Sequence, residues 1–141
     1  MAKNPIQDFQ SVFWSTKRAL AQANAKAFER HGVHEGQQYI LLMLWRTDGL
    51  TPGELARRLG LATPTVTRAT ARMEAVGLLR RLPDKLDGRL VRILLTKRGK
   101  ALEKVIGREM DRLSERALAS LEPDERTALV ELLNRVWRNL S

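Results

Sequence analysis

The chain has 141 residues, 43% of them hydrophobic, with a net charge of +9 at neutral pH and no cysteine. That length fits one domain with its own core, and the composition argues against global disorder. Disulfides, thiolate metal sites and thiol redox sensing are excluded, and the longest apolar run, residues 39–45, falls far short of the roughly 20 needed to cross a bilayer.

The opening MAKNPIQDFQ has no charged-then-apolar leader, so a cytoplasmic protein away from membranes is expected. From about 5 to 31, Ile6, Phe9, Val12, Phe13, Leu20 and Ala23 recur at helical steps and predict a long amphipathic helix. A second helix is expected over 34–47. Tyr39, Ile40, Met43 and Leu44 would point inward, and Leu41, Leu42 and Trp45 widen its apolar surface. RTDGL at 46–50 supplies the turn.

Thr-Pro then occurs twice, at 51–52 and at 63–64. Thr51 can cap a helix, with Pro52 in the first position and Glu54 three residues on completing a capping box. Gly60 can take the left-handed conformation that ends this helix. Thr63 is placed to cap again, with Pro64 behind it. The new helix runs to Gly77 and turns Val66, Ala69, Met73 and Val76 inward. Two helices joined by a tight glycine-containing turn make a helix-turn-helix, whose second helix presents its first residues to DNA base edges.

Past Gly77 the apolar period shortens. Two antiparallel strands are expected at about 78–82 and 89–95, joined through PDKLDG. A hairpin directly after a recognition helix is a wing. Thr96 then caps a helix over 97–118 with Leu102, Val105, Ile106, Leu113 and Ala117 in one stripe. A last helix, 123–139, starts at Pro123 and carries Leu129, Leu132, Leu133, Val136 and Leu140. No internal repeat or low-complexity stretch divides the chain.

Charge follows this organisation. Residues 51–100 hold 12 Lys/Arg against 4 Asp/Glu, a net +8, whereas 1–50 carry +2 and 101–141 carry −1. Basic charge confined to the middle of the chain is the electrostatic footprint of a nucleic-acid binder.

These residues resemble the MarR-type winged-helix transcription regulators. The resemblance is carried by Leu55-Ala56, the stretch from Thr63 to Arg68, Gly77-Leu78, the wing tip Asp87-Gly88-Arg89, and Leu95-Thr96-Lys97-Arg98-Gly99. It implies a mainly α fold with a small β wing: a winged helix-turn-helix with long N- and C-terminal dimerisation helices. One domain would span 1–141, with the DNA-binding part at about 34–100 and the dimerisation helices at 1–33 and 101–141. It further implies a homodimer on a pseudo-palindromic operator, most often as a repressor. Apolar stripes at both ends independently favour intermolecular packing, since a small central domain cannot cover them.

The candidate DNA-contacting residues are Thr63, Thr65, Thr67 and Arg68 in the first turns of the recognition helix. Arg68 can bond a guanine edge bidentately, and threonine can bond a base or touch a thymine methyl. Thr63 is divided between reading DNA and capping its helix. Arg72 would clamp a phosphate or simply be solvated, and Arg57 and Arg58 present the same choice. Arg89 would enter the minor groove, oriented by Asp87, and Gly88 between them loosens the tip. Lys85 would support through phosphates or stand as an ordinary exposed lysine.

The resemblance also implies a pocket for a small aromatic acid or phenol between the dimerisation helices and the DNA-binding part. Trp14, His31, Tyr39 and Met43 could line it or pack plainly in the core. No cofactor is implied. His31 and His34, with Glu35 adjacent, lack further ligands at metal-binding spacing, and neither a phosphate loop nor a nucleophile motif is present. The competing readings are an architectural DNA binder without base readout and a helical protein-interaction module.

Overall fold

The computed structural model describes residues 4–34 and 36–141. Its elements, in order, are α1 (Pro5–Glu29), α2 (Gln37–Arg46), α3 (Pro52–Leu59), α4 (Thr63–Ala75), β1 (Leu79–Pro83), β2 (Val91–Leu95), α5 (Lys97–Ala117) and α6 (Pro123–Leu140). The fold is mainly α with a two-stranded antiparallel wing, as expected.

Local chemistry explains most boundaries. Asn4 caps α1 by accepting from the Ile6 and Gln7 amides. α1 stops at Glu29, two residues short of the expected end, because the Phe28 carbonyl accepts from His31 and Val33 across a turn that Gly32 permits at φ 76°. α2 begins at Gln37 rather than 34. The Gln37 and Gln38 side chains accept the His34 and Gly36 amides and so stabilise a non-helical lead-in.

Thr51 caps α3 as expected, its Oγ1 accepting from the Glu54 amide. The Glu54 carboxylate accepts from the Thr51 hydroxyl rather than from its amide, so the second half of the expected capping box is not formed. Gly60, at φ 66°, closes α3. The second start differs: Ala62 occupies the cap of α4, without a side-chain cap bond, and Thr63 is already the first helical residue. The expectation that Thr63 caps is therefore corrected by one position. Ala62 takes the extended backbone that a cap requires, so Pro64 falls at the second helical position, where its missing N–H costs nothing.

The strands pair from Leu79 opposite Leu95 to Pro83 opposite Val91. Leu50 adds an antiparallel bridge to Ile93, which ties the turn before α3 to the wing. Thr96 caps α5 by accepting from the Gly99 amide. A Cβ at position 99 would collide with the Leu78 carbonyl oxygen, so only glycine fits where α5 crosses the segment between α4 and β1. The Trp45 indole N–H donates to the Gly99 carbonyl at 2.9 Å and closes the same crossing from α2.

Phe28, Val33, Ile40, Leu41, Leu44, Leu55, Val66, Met73, Leu78, Leu79, Ile93 and Ile106 are fully buried and form one core. It lies where the end of α1, helices α2–α4, the wing root and the first half of α5 meet. Each such side chain contributes about 1.5–3 kcal/mol on burial.

Several inward assignments shift. Val76 is exposed, because α4 ends at Ala75 and Val76 is the cap residue beyond it, off the helical face that buries Met73. Tyr39 is also exposed, since Gln37, Ile40, Leu41 and Leu44 form the inner face of α2. On α5, Ile106 is buried, Leu102, Val105 and Leu113 are half-buried, and Ala117 is exposed. α6 has no buried residue, and α1 buries only Ala27 and Phe28.

Candidate nucleic-acid interface

Helix α4 has two unlike sides. Val66, Thr70 and Met73 are buried against the core, whereas Thr63, Thr65, Thr67, Arg68 and Arg72 are exposed. Thr70 looks like its neighbours in sequence but is withdrawn from surface chemistry. Its hydroxyl donates to the Val66 carbonyl at 2.9 Å and the Thr67 carbonyl at 3.1 Å. Among the described residues, Arg57, Arg58, Arg68 and Arg72 enter no ion pair. Thr65, Arg68 and Arg72 face an open groove of about 630 Å³ against His34 and Gln37 at the start of α2.

The far end of α4 is held firmly. Glu74 accepts the Arg81 amide at 2.8 Å and its guanidinium at 3.2 Å, joining the helix to β1. The backbone bond from Arg81, followed by its side-chain bond, holds the Glu74 carboxyl below its ordinary pKa. Arg98 donates to the Val76 carbonyl at 2.7 Å, and Thr96 donates to the Gly77 carbonyl at 2.6 Å. The carbonyls at the C-terminal end of the recognition helix thus find donors, one of them cationic, where the helix dipole is negative.

The wing tip is a hydrogen-bonded loop. Asp84 accepts from the Leu86 amide at 3.0 Å and the Asp87 amide at 2.8 Å through Oδ2. Asp87 accepts from the Arg89 amide and Nε, both at 3.1 Å, and from Nη2 at 3.3 Å. The expected pairing of Asp87 with Arg89 is therefore present, and Gly88 does not break it. The Arg89 side chain is 91% exposed, so Asp87 holds its guanidinium in a set direction at the surface of the loop. The Arg89 side chain, then its amide, lowers the Asp87 pKa. Lys85 is exposed on the same loop.

Arg92 and Asp84 were not singled out from sequence, and Glu54 was read only as part of the α3 cap. Arg92 on β2 donates to Asp84 at 2.9 Å and to the Gly49 carbonyl at 3.2 Å, and lies 3.5 Å from Glu54. Its side-chain bond, with the two loop amides, lowers the Asp84 pKa. An Asp at the entry of a hairpin loop is a recognisable turn signal, but its arginine partner eight residues on carries no local signature.

The four residues expected to line an effector pocket are dispersed. Trp14 stands exposed on α1 with the Arg18 guanidinium 5.3 Å from its ring centroid. His31 is half-buried, its Nε2 lying 3.4 Å from Glu109 on α5. Tyr39 is exposed on α2, and Met43 is half-buried against the core. Glu109 is also met by Arg30 at 3.2 Å and Arg112 at 3.5 Å. Burial raises its pKa, but the His31 hydrogen bond and the two guanidiniums outweigh that and leave it lowered. The groove of about 610 Å³ beside it is lined by Lys26, Arg30, Arg112 and Arg116 and includes none of the four. Glu35 lies outside the described residues, and among the described residues no three of His, Asp or Glu gather as a metal site.

A helix-turn-helix followed by a two-stranded wing, with an exposed arginine at the wing tip, defines a winged-helix protein. A model of the MarR family matches residues 34–91. The chain is 33% identical to the HTH-type transcriptional regulator TtmR of Methylorubrum extorquens over 122 residues, which cover 85% of this chain and 60% of that protein. Its fold superposes with a TM-score of 0.85 on a MarR transcriptional regulator from Methanosarcina mazei at 25% identity, over 94% of this chain and 96% of that one. A MarR family regulator from Listeria monocytogenes, solved with a 26mer DNA, shares the fold at a TM-score of 0.76 and 23% identity, over 99% of this chain and 90% of that one. In its matched segment, its relatives and its fold the chain is similar to the MarR family of winged-helix transcriptional regulators. No helix among the described residues is long and apolar enough to cross a membrane.

Proposed function

We propose that the chain acts in the cytoplasm as a homodimeric, sequence-specific DNA-binding regulator, a ligand-responsive repressor on a pseudo-palindromic operator. The single observation that carries this reading is the division of α4 into a locked inner face and an exposed outer face of threonines and arginines. Held at its end by Glu74 and Arg81, that outer face can enter the major groove as a rigid body. Arg68 would read a guanine edge, Thr63, Thr65 and Thr67 would meet bases or phosphates, and Arg72 and Lys85 would hold phosphates. Arg89, oriented by Asp87, would enter the minor groove. Residues 34–100 form the DNA-binding part in this reading.

The dimer is supported by uncovered apolar surface. Phe9, Val12, Phe13, Leu129, Leu133 and Trp137 line adjoining grooves of about 400 and 680 Å³ between α1 and α6. A monomer rarely leaves so contiguous an apolar patch in water. A two-fold dimer through 1–33 and 101–141 would cover it and match two DNA half-sites. An aromatic acid or phenol bound between the dimerisation helices and the DNA-binding part would then act by favouring a dimer whose recognition helices are wrongly spaced. Titrating salicylate against the dimer by calorimetry tests this last element, and no heat at millimolar ligand removes that compound class.

Selection of binding sites from a random duplex library tests the main reading. The expected product is an inverted repeat bound by a particle of twice 16.0 kDa. Recovery of no preferred sequence, with equal affinity for every duplex, would mark an architectural binder instead. Absence of DNA affinity even at low salt would mark a protein-interaction module. The Arg68→Ala change is expected to relax discrimination at one base step by about 1–3 kcal/mol, without weakening all sequences equally.

A further inference from the structure

We infer that Arg92 is a positioning residue of the DNA interface, clamping the wing to the start of α3 so that Arg89 meets DNA at a set height and angle. The inference rests on the DNA-binding reading above and extends it to residues that would not themselves touch DNA. One guanidinium spans three separate pieces of chain. It donates to Asp84 in the wing loop, donates to the Gly49 carbonyl in the turn before α3, and pairs with Glu54 in the first turn of α3.

Each partner is committed elsewhere. The Glu54 carboxylate accepts from the Thr51 hydroxyl and its amide donates to the same Oγ1, so it reports the position of α3. Asp84 turns one oxygen to Arg92 and the other to the Leu86 and Asp87 amides, so it reports the shape of the loop. Asp87 in turn holds Arg89. The path to the wing-tip cation therefore starts from α3 with an ion pair and continues from Arg92 through charge-assisted hydrogen bonds, which fix direction as well as distance. A two-stranded ribbon has little stiffness of its own. Below the tip, the Leu50 bridge to Ile93 anchors the root, and Arg92 is the one link made at loop level among the described hydrogen bonds.

A simple electrostatic role makes the opposite prediction for the partners. Asp84→Asn and Glu54→Gln each remove a negative charge beside the DNA, which on charge alone would tighten binding. The clamp predicts that they weaken it. Binding to the selected duplex is measured by fluorescence anisotropy for Asp84→Asn, Glu54→Gln and Arg92→Met, each alone and combined with Arg89→Ala. Circular dichroism and particle mass monitor the fold. Asp84→Asn and Arg92→Met are expected to weaken binding about tenfold alone, the loss of one charge-assisted bond, and to have no further effect once Arg89 is gone.

Tighter or unchanged binding by Asp84→Asn would overturn the clamp. So would a loss of the same size with and without Arg89, which would mean a general effect on the fold. If Arg92→Met does not fold, the two carboxylate variants decide by the same criteria. Should Arg89→Ala itself leave binding intact, the minor-groove reading fails, whereas failure of the clamp alone leaves Arg89→Ala weakened and the partner variants at wild-type affinity or tighter.

Discussion

Leu55, Val66, Leu78 and Ile93 in the middle of the chain are fully buried, whereas Phe13, Leu129, Leu133 and Trp137 at its ends are between 36% and 66% exposed. Both sets are large, apolar and carried at regular helical or strand spacing. Spacing alone therefore says which residues share a face, not what covers that face. In the middle, α2–α5 and the wing cover one another within a single chain. At the ends, α1 and α6 leave a continuous apolar surface that a single chain does not close.

Four changes would break or sharpen this comparison. The largest effect is expected at the ends. Leu133→Glu places a carboxylate in the proposed interface twice per dimer, at a cost on the order of 5 kcal/mol. Sedimentation should then show a folded monomer with its helical signal largely retained. An unchanged dimer would show that this surface is not the interface. In the middle, Gly99→Ala forces a methyl against the Leu78 carbonyl. A loss of about 3 kcal/mol in chemical denaturation is expected, and a value below 1 would show that α5 can shift at this crossing.

Next come the two Thr-Pro helix starts, which look alike in sequence. Thr51 caps through its hydroxyl and Thr63 does not. Thr51→Ala is expected to cost about 1 kcal/mol. Thr63→Ala should stay within about 0.5 kcal/mol in stability while lowering DNA affinity. Equal stability losses would restore the capping role for Thr63.

The smallest expected effect is on pH. Glu74, Asp84, Asp87 and Glu109 all have lowered pKa values in the fold. Their contribution is complete above the ordinary carboxylate value near pH 4, and it is lost as pH falls through the lowered values. Melting temperature should be level from neutrality to about pH 5 and fall below that. The Arg92→Met variant, lacking one of the partners, should fall less steeply.

Much of the local structure around the candidate interface could be read in the chain before any packing was known. Gly60 and Gly77 both take positive φ and end α3 and α4 where their positions suggested. Thr96 caps α5, and Asp87 grips Arg89 across Gly88. These are local devices, made between residues a few positions apart, and local sequence is enough to specify them. The errors are of a different kind. Moving the α4 cap from Thr63 to Ala62 is a shift of one residue at a helix start. Tyr39 sits outside because the core covers another face of α2, and Val76 because α4 ends one residue before it. Trp14, His31, Tyr39 and Met43 fit an aromatic pocket by residue type, but type carries no information about convergence.

The sequence by itself determined the elements, their order, their punctuation and the concentration of positive charge in residues 51–100. Hydrogen bonds that close within a turn and periodic apolar stripes are short-range properties, so they survive without a fold. The tertiary structure alone decided three things. It withdrew Thr70 while leaving Thr63, Thr65 and Thr67 outside. It made Gly99 obligatory by bringing the Leu78 carbonyl against it. It also joined Gly49, Glu54 and Asp84 through Arg92, whose partners lie between 8 and 43 positions away. Contacts across such separations depend on how the core packs, and no spacing along the chain announces them.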